Sequence, residues 1–357
     1  MSDRQPPADP DTSVPASDVE PEGPEEPTPR RRRGRRVALV LLLAVVLLAG
    51  GGALAGGLYY RSVDNSIERV DAFADVPEQA RPQVGAKGAM NIMILGSDSR
   101  DPESTGGSRS DTIILAHLPR DRSSAQLISI PRDTWTAVPR SKQGRGGRDA
   151  KINAAYAWGG VPLMVQTVEK FSGVRVDTVA MVDFAGFKEI IDALGGVEID
   201  VEKGFTTKYS LIGTRTFDRG RQTMDGAAAL DYARERHAFP DGDFARIRHQ
   251  QQVIKAILDK AASGGVLANP AKLNSFVRAT SSAVSVDRSL SLVDLAMEMR
   301  GLRSGNLTFF TCPVRGTGRV GTESVVFPDP ARSRTLFEAV RRDSVPDILA
   351  VSGKPGA

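Results

Sequence analysis

Three short apolar runs follow one another after Met90 and predict the first strands of a folded domain. Their short length and their content of β-branched residues favour strands over helices. If consecutive strands pair as an antiparallel meander, the end of the first run, the start of the second and the end of the third lie together at one end of the sheet. The runs are NIMIL at 91–95, TIILAHL at 112–118 and QLISI at 126–130.

Helical and strand patterns alternate in the next part of the chain. The segment at 161–173 predicts a helix with Pro162 in its first turn and Gly173 at its end. A strand at 178–184, a helix at 186–196 and a strand at 197–202 follow. Such alternation is typical of an α/β domain built in layers.

Two further helices are predicted after acidic residues that suit the N-cap position. Asp225 precedes the segment 226–233, and Asp243 precedes the segment 244–262. In the second helix, apolar residues such as Ile247 and Leu258 recur on one side. After Gly264 the chain shows two weaker helix patterns and one strand pattern.

The N-terminal part has a different pattern. Residues 1–29 are acidic and rich in proline, so we expect a disordered tail. An arginine cluster at 30–36 then precedes an uncharged apolar run at 37–60, which is long enough for the ~20 residues of a membrane span. The cluster predicts a cytoplasmic N-terminus and an extracytoplasmic domain. A signal-peptidase site at 53–55 is the alternative, but the run exceeds a typical signal core.

Charge and composition narrow the classes of function. The chain of 357 residues has a net charge of +4, and the remainder is clearly basic once the acidic tail is set aside. This favours an anionic partner such as nucleic acid, phospholipid or a phosphorylated substrate. The single Cys312 excludes an intrachain disulfide, and the three histidines are scattered. The sequence also lacks a Walker-type or GxGxxG glycine loop.

Charged residues flank the three predicted strands in a way that brings them together. In an antiparallel meander, the segment after the first strand, the segment before the second and the segment after the third share one rim. Two acids among several arginines there suit a magnesium ion that also binds substrate phosphates. The rim residues are Asp98, Arg100, Arg109, Asp111, Arg132 and Asp133.

The stretch from Ala229 to Gln252 supplies a second set of charges. Asp243, Arg246 and Gln250 fall on one stripe of a helix, while Arg234 and Arg236 alternate in the segment before it. Each guanidinium group can bind two phosphate oxygens, so a bound pyrophosphate would explain why several arginines lie close together here. For any single residue, a solvated surface charge is the simpler interpretation. Arg122, in the turn at the far end of the strands, is expected to be such a charge.

The order of these motifs resembles that of the LytR-CpsA-Psr family of cell-wall enzymes over about residues 90–262. The resemblance implies a layered α-β-α domain with a central mixed sheet, anchored by one N-terminal transmembrane helix. The segments that carry it are NIMILGSDSR, RSDTIILAHL, ISIPRDTW, KINAAYAWGG, VDFAGFKEIIDALGGVEIDV, MDGAAALDYARER and DGDFARIRHQQ. His249 stands where this pattern often has arginine, and it is given no role.

The resemblance also implies an activity and roles for the motif residues. A glycopolymer would move from a polyprenyl-pyrophosphate carrier onto peptidoglycan at the outer face of the plasma membrane, with Mg²⁺ as cofactor. Asp98 and Asp111 would hold the metal, and Asp98, Asp111, Arg132 and Asp243 would form the catalytic group. The pyrophosphate-binding residues would be Arg100, Arg109, Arg132, Lys151, Arg234, Arg236, Arg246 and Gln250.

Several alternatives remain at this point. A hydrolase of polyprenyl pyrophosphate and a non-catalytic protein that binds anionic polyprenyl lipid or wall polymer both account for the arginines. A DNA-binding regulator is disfavoured because the predicted topology leaves only the tail in the cytoplasm. The polymer is open among arabinogalactan, a teichoic-type chain and a capsule. The general base is open among the rim aspartates.

These patterns predict five segments along the chain. The layout places a catalytic core between a membrane-anchoring part and a C-terminal extension that packs on the core. The predicted segments are a cytoplasmic tail at 1–36, a transmembrane helix at 37–60, a linker at 61–88, the core at 89–262 and the extension at 263–350.

The predicted topology is testable with fusions. A reporter fused before Arg30 is expected to lie inside the cell and one fused after Ala357 outside, because the arginine cluster flanks only one side of the apolar run. Reporter activity and protease accessibility in intact cells measure this. An N-terminus that protease removes from intact cells would contradict it.

Overall fold

The computed structural model describes residues 62–97, 110–207 and 213–345. The predicted tail and membrane span therefore lie outside the described residues, as do Asp98, Arg100 and Arg109. None of the helices within the described ranges is long and apolar enough to cross a bilayer.

A seven-stranded mixed sheet forms the centre of the described part, in the order β1-β12-β7-β2-β3-β4-β13. The strands in chain order are β1 (Glu68–Val70), β2 (Met90–Ser97), β3 (Ser110–Leu118), β4 (Ala125–Ser129), β5 (Trp135–Val138), β6 (Arg148–Lys151), β7 (Thr178–Asp183), β8 (Val197–Val201), β9 (Phe205–Thr206), β10 (Thr216–Phe217), β11 (Gly220–Met224), β12 (Val284–Asp287), β13 (Leu307–Thr311), β14 (Val314–Val320) and β15 (Glu323–Pro328). The predicted meander is confirmed, because β3 pairs antiparallel with both β2 and β4.

Helices cover both faces of this sheet. They are α1 (Ala154–Ser172), α2 (Phe184–Ala193), α3 (Gly226–Arg234), α4 (Asp243–Ala261), α5 (Gly264–Leu267), α6 (Pro270–Ala283), α7 (Leu292–Glu298) and α8 (Pro330–Arg342). Met93 and Leu95 of β2 belong to a core cluster with residues of α1 and α8. Ile92, on the other face of the same strand, clusters with Ile254 and Leu258 of α4. Burial on both faces explains why β2 to β4 read as continuous apolar runs.

The predicted helix boundaries are partly correct. Pro162 lies in a first turn only because Gly159 and Gly160 kink α1, which begins earlier, at Ala154. Gly173 ends the helix with a left-handed φ of 66°, as expected for a glycine at this position. Asp225 caps α3 by accepting a hydrogen bond from the Ala228 N–H at 2.7 Å.

The predicted capping role of Asp243 is wrong. Gly242, with φ 48°, is the N-cap of α4, and it offers no side chain for a cap hydrogen bond. Asp243 is the first helical residue, and its carboxylate contacts Arg246 and Arg132 instead of the helix amides.

Segments on both sides of the predicted core take part in the sheet. β1, from the predicted linker, pairs in parallel with β12, and β13 pairs in parallel with β4. The region after Gly264 therefore contributes two strands to the sheet and also forms the β14–β15 hairpin. The domain boundaries drawn from the sequence stay a prediction.

Arg122 is not the solvated surface charge that its position in a turn predicts. Its side chain is 19% exposed and forms an ion pair with Glu298 at 2.9 Å. Its guanidinium also donates to the carbonyl oxygens of Gly88 and Pro119, at 2.9 and 2.7 Å. It ties the β3–β4 turn to neighbouring loops.

A buried ion pair fastens the predicted linker to α1. Glu169 of α1 is buried, and one of its carboxylate oxygens accepts hydrogen bonds from Arg81 Nη2 at 2.8 Å and the Val176 N–H at 2.9 Å. Arg81 also lies over the ring of Phe73, 4.4 Å from its centroid. Removing one partner of a buried pair leaves an uncompensated charge in a low-dielectric environment.

Glu169→Ala is therefore expected to lower the free energy of unfolding by about 3–5 kcal/mol. Glu198→Ala is the matched control, because Glu198 is 63% exposed and pairs with an exposed Arg221 at 3.3 Å. Its cost is expected to be ~0–1 kcal/mol. Urea denaturation followed by circular dichroism measures both. Equal losses would show that the Glu169 pair does not anchor the linker.

Candidate functional site

Arg132 is the centre of the charged rim. It follows β4 and reaches Asp111 of β3, with which it forms an ion pair. Its Nε lies 3.8 Å from Asp243 Oδ1 and 3.9 Å from Asp133 Oδ2. The antiparallel pairing of β3 with β4 brings the first two together, and the first turn of α4 delivers the third.

Arg246 lies behind this group and is almost fully buried. Its side chain is 5% exposed, and its Nη2 lies 2.5 Å from Asp243 Oδ1. The i, i+3 spacing on α4 places the two side chains on one stripe, as the sequence pattern predicts. Asp243 therefore sits between two guanidinium groups, and it has no hydrogen bond to the helix backbone that would divert it.

Burial sets the electrostatics of this cluster. Desolvation raises the pKa of Asp243, although Arg246 and Arg132 act in the opposite direction. Desolvation also lowers the pKa of Arg246, against the attraction of Asp243. Burial opposes the charge of Arg132 too, yet Asp111, Asp133 and Asp243 together raise its pKa. The carboxylates thus outweigh desolvation in their effect on the pKa of Arg132, whereas desolvation outweighs Asp243 at Arg246.

A cleft of about 410 Å³, here named the arginine cleft, opens beside the cluster. The residues that line it come from β3, the segment after β4, α2, α3, the loop after α3, and α4. They are Asp111, Thr112, Arg132, Phe184, Asp231, Arg234, Glu235, Arg236, His237, Arg246 and Gln250. Four arginines from different elements therefore face one cavity, together with the predicted Gln250.

The loop after α3 is held by Glu235, which the sequence reading did not single out. Its buried carboxylate accepts hydrogen bonds from the N–H groups of Arg236, His237 and Ala238, at 2.8, 2.5 and 3.0 Å. This backbone clamp fixes where Arg236 leaves the chain. The acidic residue between the two arginines of RER is the sequence signal from which Glu235 could have been identified.

Arg234 is positioned by an aromatic ring. Its guanidinium lies 4.4 Å from the centroid of Phe184, the first residue of α2. Such stacking leaves the edge of the guanidinium available for hydrogen bonds to an anion. The sequence pattern predicts that a strand ends at Phe184, so it does not predict the place of Phe184 in the cleft.

The remaining predicted residues fall into two groups. Lys151 lies outside the arginine cleft, with its Nζ 3.3 Å from Asp133 Oδ1. Asp98, Arg100 and Arg109 are outside the described residues, and their roles stay predictions. Arg248, in the same stretch as Arg246, points away and pairs with Asp241 at 2.6 Å.

His249 serves the core. Its ring stacks on Phe205 at 5.5 Å between centroids and lies 4.3 Å from the Tyr232 ring. Burial lowers its pKa to about 4, so the imidazole is neutral at physiological pH. A neutral aromatic ring can pack in this cluster without a countercharge, whereas an arginine at the same position would need one.

The family model described as the LytR_cpsA_psr family matches residues 59–341. The chain is 31% identical over 307 residues to the cell wall biosynthesis protein LcpA of Corynebacterium glutamicum, which covers 73% of this chain and 57% of that protein. The alignment thus spans less than two thirds of that relative. A protein of Bacillus cereus named polyisoprenyl-teichoic acid–peptidoglycan teichoic acid transferase TagU is 36% identical over 220 residues, covering 59% of this chain and 67% of TagU.

Solved structures show the same fold. The crystal structure of Bacillus subtilis TagV aligns with a TM-score of 0.60 at 28% identity, over 72% of this chain and 98% of that one. The LytR-Csp2A-Psr enzyme from Actinomyces oris aligns with a TM-score of 0.59 at 23% identity, over 77% and 96%. The second likeness concerns the fold alone. Because the family model covers most of the chain, this protein belongs to the LytR-CpsA-Psr family.

Proposed function

We propose that this protein transfers a glycopolymer from a polyprenyl-pyrophosphate carrier onto peptidoglycan. The observation that carries the proposal is the arginine cleft, a single cavity lined by Arg132, Arg234, Arg236 and Arg246 together with Asp111. The names of the TagU relatives describe a transfer of this kind, of teichoic acid to peptidoglycan.

The cleft matches the charge of a pyrophosphate group. Forked guanidinium groups bind phosphate oxygens bidentately, at about 1.5–3 kcal/mol for each charge-assisted hydrogen bond. Arg246 and Arg132 are already held by Asp243, so little conformational entropy is lost when they meet a ligand. Phosphoryl transfer depends mainly on positioning and charge neutralisation, so a Ser, Cys or His nucleophile is not required.

The reaction forms one phosphoester bond and breaks one phosphoanhydride bond. The oxygen of an acceptor hydroxyl bonds to the phosphorus that carries the glycan. The bond from that phosphorus to the bridging oxygen breaks, and polyprenyl phosphate leaves with the electron pair. The hydroxyl proton passes to a carboxylate of the rim. Arg132 and Arg236 would stabilise the charge that develops on the phosphate oxygens.

The rim also fits a magnesium ion, as part of this proposal. Mg²⁺ favours one or two carboxylates with phosphate oxygens and water, and when bound it neutralises charge on the transferred phosphate. Asp111 has a side chain that is 25% exposed and lines the cleft. Among the described residues no three His, Cys, Asp or Glu side chains group as a metal site. Asp111, with Asp98 outside those residues, would thus hold the ion jointly with the substrate.

We also propose that the domain acts at the outer face of the plasma membrane. The arginine cluster at 30–36 and the apolar run at 37–60 support this placement. A polyprenyl carrier keeps its pyrophosphate at the membrane surface, so an anchored domain would meet its donor there.

Removal of divalent cations is expected to stop transfer, and added Mg²⁺ is expected to restore it. Asp98→Asn and Asp111→Asn should each lower the rate by about 100-fold or more, because they remove charge aimed at the metal and phosphate. Asp200→Asn, on an exposed position of β8, is the control. The assay follows a labelled lipid-linked glycan onto peptidoglycan.

The same assay separates the alternatives. Labelled glycan released into solution, with none on peptidoglycan, would identify a hydrolase. Tight retention of the lipid-linked glycan without turnover, unchanged in Asp111→Asn, would identify a binding protein. Either result overturns the proposal.

Arg132→Lys tests the guanidinium geometry. The substitution keeps the charge but loses the fork, so transfer is expected to fall about 10- to 100-fold. Folding should be barely altered, since lysine still carries a charge for Asp243 and Asp111. Thermal melting of the same samples checks this.

The matched control is Arg221→Lys. The Arg221 side chain is 77% exposed, and it pairs with the exposed Glu198. Its activity should be unchanged. Equal activity in two well-folded variants would remove Arg132 from the site.

A further inference from the structure

A second cleft, here named the tryptophan cleft, adjoins the arginine cleft. It has a volume of about 830 Å³ and shares Arg132 and Arg236 with its neighbour. Asp111 lines only the arginine cleft, while Asp133 lines only the tryptophan cleft. The two cavities therefore meet at two arginines, and each has carboxylates of its own: Asp231 and Glu235 also line only the arginine cleft, and Asp149 and Glu323 only the tryptophan cleft.

The tryptophan cleft has walls that suit a sugar. Its lining includes Trp135 of β5 and Trp158 of α1, which are the two tryptophans of the chain. Arg148 lies over the Trp158 ring, 5.1 Å from its centroid. Flat apolar rings beside charged groups pack against the C–H face of a pyranose, while polar neighbours bind its hydroxyls.

The opposite wall is the tip of the β14–β15 hairpin, around residues 320–324. This hairpin is fixed to the site segment: the Val326 N–H donates to the Asp133 carbonyl oxygen at 2.9 Å, and Thr134 forms a parallel bridge with Val326. A segment of the C-terminal region thus lines the same cavity as Arg132.

We propose that the tryptophan cleft binds the acceptor, a glycan strand of peptidoglycan, and presents its hydroxyl to the phosphate held at Arg132 and Arg236. This inference rests on the proposed transfer. Only the acceptor loses a proton in that reaction, and Asp133 supplies a carboxylate on this side of the junction, with Lys151 Nζ 3.3 Å away. Peptidoglycan also bears carboxylates of its own, for which Arg148 and Lys151 are counterions.

The step balances within the two clefts. The acceptor hydroxyl oxygen forms the new bond to phosphorus, and its proton passes to Asp133. The phosphoanhydride bond breaks, and the polyprenyl phosphate takes the electron pair. The two tryptophan rings, with the Asp133 carboxylate beside the shared arginines, therefore assign this side of the junction to the acceptor sugar.

The two tryptophans allow a direct test. The full-length chain in detergent is titrated with soluble peptidoglycan fragments released by a muramidase, and tryptophan emission is recorded. A saturable change is expected, because both fluorophores line the cleft. Absence of any change with the wild-type chain would overturn the inference. So would loss of the change when lipid-linked glycan donor is added in excess, since the donor glycan would then occupy the cleft.

Arg148→Ala and Arg145→Ala form a matched pair of variants. Both arginines are exposed and lie close together in sequence, but only Arg148 lines the cleft. Arg148→Ala is expected to weaken fragment binding about tenfold and to raise the KM for acceptor by a similar factor, with the KM for donor unchanged. Trp158 is not replaced, because it packs against the core.

The outcomes separate this inference from the proposed function. If the wild-type chain transfers glycan but both variants behave alike, the assignment of the acceptor cleft is wrong and the transferase stands. If the wild-type chain transfers nothing onto peptidoglycan under any condition, the proposed function fails and the acceptor assignment fails with it. Raised donor KM in Arg148→Ala would also overturn the assignment.

Discussion

The site depends on one buried carboxylate, that of Asp243, between two guanidinium groups. Several arginines directed at one cavity repel one another, and burial makes each of them costly to keep charged. Asp243 offsets that cost, with its Oδ1 lying 2.5 Å from Arg246 Nη2 and 3.8 Å from Arg132 Nε. Without it, Arg246, at 5% exposure, would be an unpaired buried cation. Asp243 therefore stabilises the buried part of the positive wall, the pair Arg246 and Arg132.

The fold places these partners through its regular elements. The β3–β4 pairing brings Asp111 and Arg132 side by side at one end of the sheet, and α4 delivers Asp243 and Arg246 from its first turn. Glu235 uses three backbone N–H groups to fix the loop that carries Arg236. Each cation thus comes from a rigid element or from a clamped loop, which suits catalysis by positioning.

Much of this arrangement follows from local patterns in the sequence. Apolar runs of strand length predict the meander, and the meander predicts that Asp111 and Arg132 share a rim. Helical spacing predicts that Asp243 and Arg246 share a stripe. The composition of the rim can thus be predicted from the sequence, because strand direction and helix periodicity are local properties.

Other features depend on contacts between distant parts of the chain, and local patterns do not encode them. Asp243 looked like an N-cap, but Gly242 takes that position and leaves the carboxylate for the arginines. Arg122 is predicted to be solvated, but it pairs with Glu298 and donates to the carbonyl oxygen of Gly88, which lies in a different loop. The pairing of β13 with β4 joins residues far apart in the chain. The sequence therefore predicts the C-terminal region as an extension and does not predict that it adds a strand to the sheet. The tryptophan cleft depends on the same long-range joining.

Arg132 links the two clefts, and its bonding explains how one residue can serve both. A guanidinium has five N–H donors in a fixed plane; Asp111 pairs with Nη1 of Arg132, while Asp133 and Asp243 both lie near its Nε, at 3.9 and 3.8 Å. In the proposed reaction, a phosphate oxygen would compete with Asp111 for one edge of that plane, while Asp243 keeps the group in place behind. The carboxylate released from Arg132 then faces the phosphate side, and Asp133 remains on the acceptor side. A lysine has no such planar set of donors, so this division between two carboxylates requires an arginine at the junction.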